Sequence, residues 1–264
     1  MLTPPPGRVA RSSTATFRFY GDLNDHLPAA RRQASFLHAF DGEPAVKDAI
    51  EAVGVPHPEV DAIVVNDVPV GFAHRMRDGD RVEVYPQARS RWPETDARPD
   101  GLEPLTPPIS RPPRFILDTH LGRLARYLRM LGFDSAYNNR ADDDELARHS
   151  AAEARVLLTR DRGLLRRSVV RLGYLLRSDD PRRQLAEVSA RYGLAPQVQP
   201  FSRCIRCNGR IEPVEKTEVA QRLAPRTLRY YDSFGCCDSC AAVYWQGSHY
   251  ERMQRLVRTL LEPQ

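Results

Sequence analysis

The sequence predicts an α/β protein built in modules: a parallel-sheet domain over residues 113–200, a four-cysteine zinc module over 201–256, and a small sheet-and-helix module over 13–88. Three observations carry this. Short, almost purely apolar strands in the middle of the chain run into aspartates and alternate with helical patterns, as in a sheet buried on both faces. Two C-x-x-C pairs, Cys204/Cys207 and Cys237/Cys240, are separated by 29 residues. Residues 86–113 hold eight prolines and little apolar periodicity, which reads as an extended linker placed at 89–112.

The first module opens on Phe17 and Phe19, which alternate with Thr16 and Arg18 as on a half-buried strand. Val46, Ala49, Ile50 and Val53 then recur at helical spacing. Strands follow at Asp61–Val65 and Arg81–Tyr85, with turns at Asn66-Asp67 and Asp78-Gly79-Asp80. One helix laid across a small mixed sheet buries these positions. The arrangement resembles β-grasp, ubiquitin-like domains of the sulfur-carrier type. Those carriers end in a free Gly-Gly, whereas here Tyr85 runs into Pro86 and the linker. The expectation is therefore a binding or packing role without chemistry, a protein partner being the candidate for binding.

The central domain places carboxylates after its strands. Arg114–Leu117 is followed by Asp118, and a helix then carries Leu121, Leu124, Ala125, Leu128 and Leu131 on one face. Arg123, Arg126 and Arg129 fall elsewhere on that helix and are expected to be exposed. Asp142, Asp143, Asp144 and Glu145 open a second helix, where capping accounts for some of them. Arg155–Thr159 reads as a buried strand leading into Arg160-Asp161, and Tyr174–Leu176 as another followed by Asp179-Asp180. Ligands bind open α/β sheets at the carboxyl ends of the strands. One sheet can bring Asp118, Asp161 and Asp179 together, with Asp143 from a helix start. Clustered carboxylates repel unless cations neutralise them, and oxygen donors suit Mg²⁺ or Mn²⁺. Receiver-like and haloacid-dehalogenase-like phosphoryl chemistry both require a lysine, and residues 113–201 contain none.

In the last module, four thiolates in two knuckles supply the soft tetrahedral set of a structural zinc with no open position for catalysis. Asn208-Gly209 suits the turn after the first pair. Cys236 is the alternative partner for the second knuckle, though x-x spacing favours Cys237. Tyr230, Tyr231, Phe234, Tyr244, Trp245 and Tyr250 are interleaved with Arg226 and Arg229; such aromatics either build a small core or stack on bases.

No apolar run is long enough for a membrane span, and cysteines in C-x-x-C pairs point to a reducing compartment, so a cytoplasmic protein is expected. Of 39 basic residues 37 are arginine, and the basic excess lies in the second half: 16 basic against 11 acidic over 113–201, and 10 against 7 over 202–264. A polyanion partner fits that distribution.

Residues 114–250 resemble the Mut7-C RNase family. The segments that carry the likeness are FILDTHLGRLARYLRMLGFD at 115–134, DDELA at 143–147, RVLLTRDRGLLRR at 155–167 and DDPRRQLAEV at 179–188. It continues through FSRCIRCNGRIEPV at 201–214 and FGCCDSCAAVYWQGSHYERM at 234–253. The resemblance implies a PIN-like parallel-sheet nuclease domain with a four-cysteine zinc ribbon, preceded by a ubiquitin-like domain. It further implies a metal-dependent ribonuclease acting on RNA. Asp118, Asp143 and Asp161 would be the Mg or Mn ligands and Asp179 a fourth, outer acid; Asp142 and Asp144 flank Asp143 as alternatives, as Asp180 does Asp179. Arg160, Arg162 and Arg123 would meet substrate phosphates. The competing expectation is a non-catalytic RNA-binding or protein-interaction adaptor that keeps these folds.

Overall fold

The computed structural model describes residues 12–86 and 102–261. It divides into two compact units between Pro107 and Pro108. Of the expected linker, 89–101 lies outside the described residues.

In the first unit, five strands β1 (Ser13–Phe19), β2 (Phe36–Phe40), β3 (Val60–Val65), β4 (Val68–Val70) and β5 (Arg81–Pro86) form a mixed sheet in the order β2-β1-β5-β3-β4. The central pair β1 and β5 is parallel and the other pairs are antiparallel. Helix α1 (Val46–Val53) buries Val46, Ala49 and Ile50 against Phe17, Phe19, Ile63 and Val84, and it stops at Gly54, whose φ of 111° accommodates the left-handed cap. Asn66 and Asp67 both take positive φ, as a two-residue hairpin between β3 and β4 requires. The two strands that sequence periodicity did not show, β2 and β4, are the edges of the sheet. Pro69 fits β4 for that reason, since an edge strand tolerates a missing donor. Residues 102–107 lie along this unit: Leu105 N–H donates to the Asp61 carbonyl and the Thr106 hydroxyl to the Asp61 carboxylate.

The second unit is centred on a four-stranded, all-parallel sheet. It contains β6 (Phe115–Leu117), β7 (Ser135–Tyr137), β8 (Val156–Thr159) and β9 (Gly173–Leu175) in the order β7-β6-β8-β9. Alternation along the strands feeds two separate cores. Phe115, Leu117, Val156 and Leu158 pack against α2 (Gly122–Met130) and α5 (Pro181–Tyr192). Ile116, Leu157 and Leu175 pack on the other face against α3 (Asp143–Ala152) and α4 (Arg162–Leu165). Both faces are covered, which explains the absence of polar residues in β6 and all but the last position of β8.

The chain then forms a three-stranded antiparallel sheet of β10 (Ile211–Val214), β11 (Phe234–Cys237) and β12 (Val243–Trp245). Helices α6 (Lys216–Val219) and α7 (Pro225–Tyr230) lie between its first two strands. Helix α8 (Ser248–Leu261) returns to the central sheet, where Met253 and Val257 join the core beside α5. No helix among the described residues is long and apolar enough to cross a membrane.

Candidate functional site

Strand order fixes where the acids meet. From β6 the chain crosses through α2 to β7 on one side, and from β8 it crosses through α4 to β9 on the other. The topological switch point, where connections diverge and a crevice opens, therefore lies at the carboxyl ends of β6 and β8. Asp118 directly follows β6, and Asp161 follows β8 by two residues. Asp118 is 6% exposed. Its Oδ1 accepts from Thr119 N–H at 2.6 Å and its Oδ2 from the Thr159 hydroxyl at 2.5 Å. The same Thr159 oxygen accepts from the Asp161 N–H at 2.9 Å. One hydroxyl thus ties the two acidic segments together. Thr159 escaped sequence reasoning, because an apolar strand ending in threonine looks like ordinary β-propensity.

Local capping explains more of these acids than their spacing suggested. Asp118 caps the single 3-10 turn Thr119–Leu121, and Asp161 caps α4 by accepting from Gly163 N–H at 2.7 Å. At α3, Asp142 is the cap, through Glu145 N–H at 2.8 Å, and Asp143 is the first helical residue and half-buried. Arg167 lies 3.6 Å from Asp143 and also pairs with Asp144. At α5, Asp180 takes the cap from Arg182 and Arg183 N–H, and its neighbour Asp179 is exposed. Among the described residues no arginine or lysine pairs with Asp118 or Asp161, while His120 Nδ1 stands 3.5 Å from Asp118. The carboxylates are not gathered as tightly as the thiols. Among the described residues only the four cysteines place three or more ligand atoms within 4.8 Å of one another.

Arg123, Arg160 and Arg162 are exposed, as are Arg126 and Arg166. Arg129 corrects the sequence expectation: it is buried, with Nε donating to the Ser135 carbonyl at 2.9 Å and Nη1 to the Arg206 carbonyl at 3.1 Å. A guanidinium can satisfy several carbonyls at once, and here it clamps α2 to the first cysteine knuckle.

The two knuckles repeat one backbone device. Cys204 N–H donates to the Gly209 carbonyl and Cys237 N–H to the Ala242 carbonyl; Asn208 N–H returns to Cys204 and Ala241 N–H to Cys237. Asn208 and Ala241 both have positive φ. Sγ atoms of Cys204 and Cys240 are 3.7 Å apart, and those of Cys207 and Cys237 are 3.4 Å apart. Adjacent residues of a strand face opposite ways, so Cys236 points away from this quartet, with its Sγ 3.7 Å from Arg222. Burial raises the cost of ionising Cys204, but the Tyr244 hydroxyl and backbone N–H groups bring it down to about 6. Burial and the neighbouring thiols push Cys207 up to about 12. Four thiolates this close need a cation among them, and the donor set and spacing fit tetrahedral zinc. Gly209 is part of the fit: a Cβ there would lie 2.7 Å from Cys237 Sγ and 2.5 Å from Asp238 Oδ1. Gly209→Ala should weaken zinc affinity at least about tenfold, the order seen when a supporting group is lost, measurable by competition with a chromogenic chelator.

This centre docks at the end of the sheet opposite the acids. Asn208 accepts from Ser135 N–H at 2.8 Å and donates to Asp134 at 2.8 Å, both at the amino end of β7. Asp134 also pairs with Arg155, just before β8, at 2.6 Å. Burial alone would raise the Asp134 carboxyl, but Arg155 and Asn208 outweigh it and hold it at about 2. A depressed carboxylate contributes stability that is complete above its unfolded value near 4 and disappears as pH falls through 2. Asp134→Asn should therefore cost roughly 2 kcal/mol at neutral pH. In urea titrations that gap should narrow steadily between pH 4 and pH 2; a gap independent of pH would reject the ion pair as its source.

A family model described as the Mut7-C RNAse domain matches residues 113–257, which is 145 of the 264 residues, and one described as Mut7-C ubiquitin matches residues 12–91. No curated protein matches the chain significantly. A doubly covered parallel sheet with acids at its switch point, joined to a four-cysteine ribbon, lies within the first match, and a five-stranded β-grasp sheet lies within the second. The chain belongs to the Mut7-C RNAse domain family and carries a Mut7-C ubiquitin domain ahead of it.

Proposed function

We propose that this protein is a metal-dependent ribonuclease that hydrolyses RNA phosphodiester bonds at the carboxyl ends of β6 and β8. The observation that carries the reading is the pairing of Asp118 and Asp161 at the topological switch point of the sheet, tied through Thr159. Asp118 is buried, with hydroxyl and amide donors and the His120 imidazole beside it and no arginine or lysine paired with it, which leaves room for a cation at its carboxylate. Hard carboxylate oxygens of this kind suit Mg²⁺ or Mn²⁺, held by Asp118, Asp161 and Asp143, with Asp179 farther out. When bound, such ions activate water and neutralise charge on the phosphodiester. The chain itself fixes Asp118 through Thr159 and Thr119, and offers Arg160, Arg162 and Arg123 from solvent-facing positions for phosphates. Cleavage leaves 5′-phosphate and 3′-hydroxyl ends. The protein acts in the cytoplasm, where its C-x-x-C thiols stay reduced and metal-bound, and the ubiquitin-like domain binds a protein partner.

The adaptor reading draws on one observation: Asp143 and Asp144 pair with Arg167, so part of the acidic set is already neutralised. Incubating the protein with structured and unstructured RNAs and Mn²⁺ or Mg²⁺ separates the two. Metal-dependent cleavage with the stated ends supports the enzyme; RNA binding without cleavage supports the adaptor.

A further inference from the structure

We infer that the outer face of the zinc ribbon, formed by α7 and the end of β12, is a binding surface for single-stranded RNA. The inference deepens the RNA reading above and takes the identity of its polymer from it. Most aromatic residues of this module are used in packing or in the metal centre. Phe234 is buried, Tyr244 lies 2.9 Å from the Cys204 sulfur, and Tyr250 sits 4.5 Å from the Phe201 ring. Tyr230 and Trp245 are not: they are 64% and 38% exposed, and among the described residues no other aromatic ranks with the exposed large hydrophobics.

Trp245 and Tyr231, the chain neighbour of Tyr230, meet at one end of the ribbon. Trp245 is the register partner of Phe234, three residues after Tyr231. A Cβ built on Gly247 would lie 2.9 Å from Trp245 Nε1 and 3.3 Å from the Tyr231 hydroxyl, so both groups converge there. Around them arginines outnumber acids. Residues 219–231 contain Arg222, Arg226 and Arg229 and no acid, and all three arginines are exposed. Arg229 stands over the Tyr230 ring at 5.7 Å, which orients the ring and leaves its other face open. The neighbouring acids are engaged elsewhere: Asp232 pairs with Lys216 at 2.8 Å, and Glu215 and Glu218 form the capping box of α6. Glu251, in the first turn of α8, is the remaining acid nearby in sequence. A polypeptide partner would want a continuous apolar groove. Separate aromatic rings flanked by guanidinium groups instead offer stacking faces for bases and charges for phosphates of a flexible strand. A duplex keeps its bases stacked inside and offers these rings nothing to stack on.

The test is equilibrium binding of the full chain, without added divalent ions so that cleavage plays no part. The probe is a fluorescein-labelled oligouridine of about twelve nucleotides, within the roughly 4–16 nucleotides that single-strand-binding OB folds cover, followed by anisotropy. Tyr230→Ala should weaken binding about tenfold, and Tyr230→Trp should restore it, as loss and return of one stacked base would. Arg226→Gln with Arg229→Gln should lower the slope of log affinity against log salt by about 0.7 for each phosphate no longer neutralised. A duplex of the same length should bind more weakly and ignore Tyr230→Ala. Trp245→Ala should weaken binding in the same way, with Trp245→Phe in its place if zinc content shows that the ribbon is lost; Tyr230 stands in solvent and decides the matter by itself. No binding by the wild type, or binding unchanged within twofold by Tyr230→Ala, overturns the inference. So does loss of self-association on Tyr230→Ala without an effect on RNA, which would make this face a contact between copies. Because cleavage is not measured, the ribonuclease reading can fail while this surface stands, and the reverse.

Discussion

Asp118→Asn and Asp161→Asn are expected to lower RNA cleavage at least about a hundredfold each, the scale of losing a metal-positioning or charge-stabilising group, while the protein stays folded. Asparagine is nearly isosteric and is itself a good N-cap. At Asp161 it can still accept from Gly163 N–H, and at Asp118 it can still accept from Thr119 N–H. What it removes is the formal charge. Loss of activity with an unchanged unfolding midpoint therefore isolates electrostatics from structure. Without metal the variants should be at least as stable as the wild type, because fewer like charges face one crevice. Asp143→Asn should follow the same pattern. Asp142→Asn keeps its cap on Glu145 N–H, so if it or Asp144→Asn is the sensitive variant instead, the ligand at this helix start is that residue and the mechanism stands. Wild-type rates in both Asp118→Asn and Asp161→Asn, on zinc-loaded folded protein, would reject the nuclease site and favour the adaptor.

Much of this site was legible because its parts are local. Phe115-Ile116-Leu117 and Val156-Leu157-Leu158 are apolar at successive positions, as suits a doubly covered strand; the first runs straight into Asp118 and the second reaches Asp161 two residues after β8 ends. The cysteine pairs were equally plain, since a knuckle is closed by backbone bonds within six residues. What stayed hidden is what depends on distant partners. Strand β7 is Ser-Ala-Tyr, too short and polar to show a period; it is an edge strand held by Arg129 and Asn208. Arg129 itself looked like a surface arginine because nothing in its own helix shows that carbonyls of residue 206 arrive above it. Asp134 and Arg155 are 21 positions apart and separately ordinary, yet they join the amino ends of two strands to the first knuckle. The proportion of the acids that merely cap helices also needed the fold, because a cap and a metal ligand use the same residue at the same helix start.

Cys204→Ser or Cys240→Ser should abolish stoichiometric zinc and unfold the ribbon, whereas Cys236→Ser should leave about one zinc per chain, as a single structural site implies. The difference follows from geometry. The sulfurs of Cys204, Cys207, Cys237 and Cys240 lie within 4.8 Å of one another, and Cys236 projects from the other face of β11 toward Arg222. A serine hydroxyl is a harder, far less acidic donor than a thiolate, so it cannot replace the lost charge or softness. Structural zinc contributes on the order of 10 kcal/mol to the folding of small domains, more than three strands of three or four residues bury by themselves. Damage should also spread beyond the ribbon. Asn208 in the first knuckle holds Ser135 N–H, and Arg129 holds the Arg206 carbonyl. Opening the knuckle therefore frees the edge strand β7 and the end of α2. Hydrogen exchange should show lost protection at Ser135 and along residues 128–133 in Cys204→Ser, with β8 and β9 protected as before. Elemental analysis supplies the decisive measurement: full zinc retention after loss of Cys204 would refute the four-cysteine site. Zinc loss with unchanged protection at β7 would keep the site but deny that it braces the sheet.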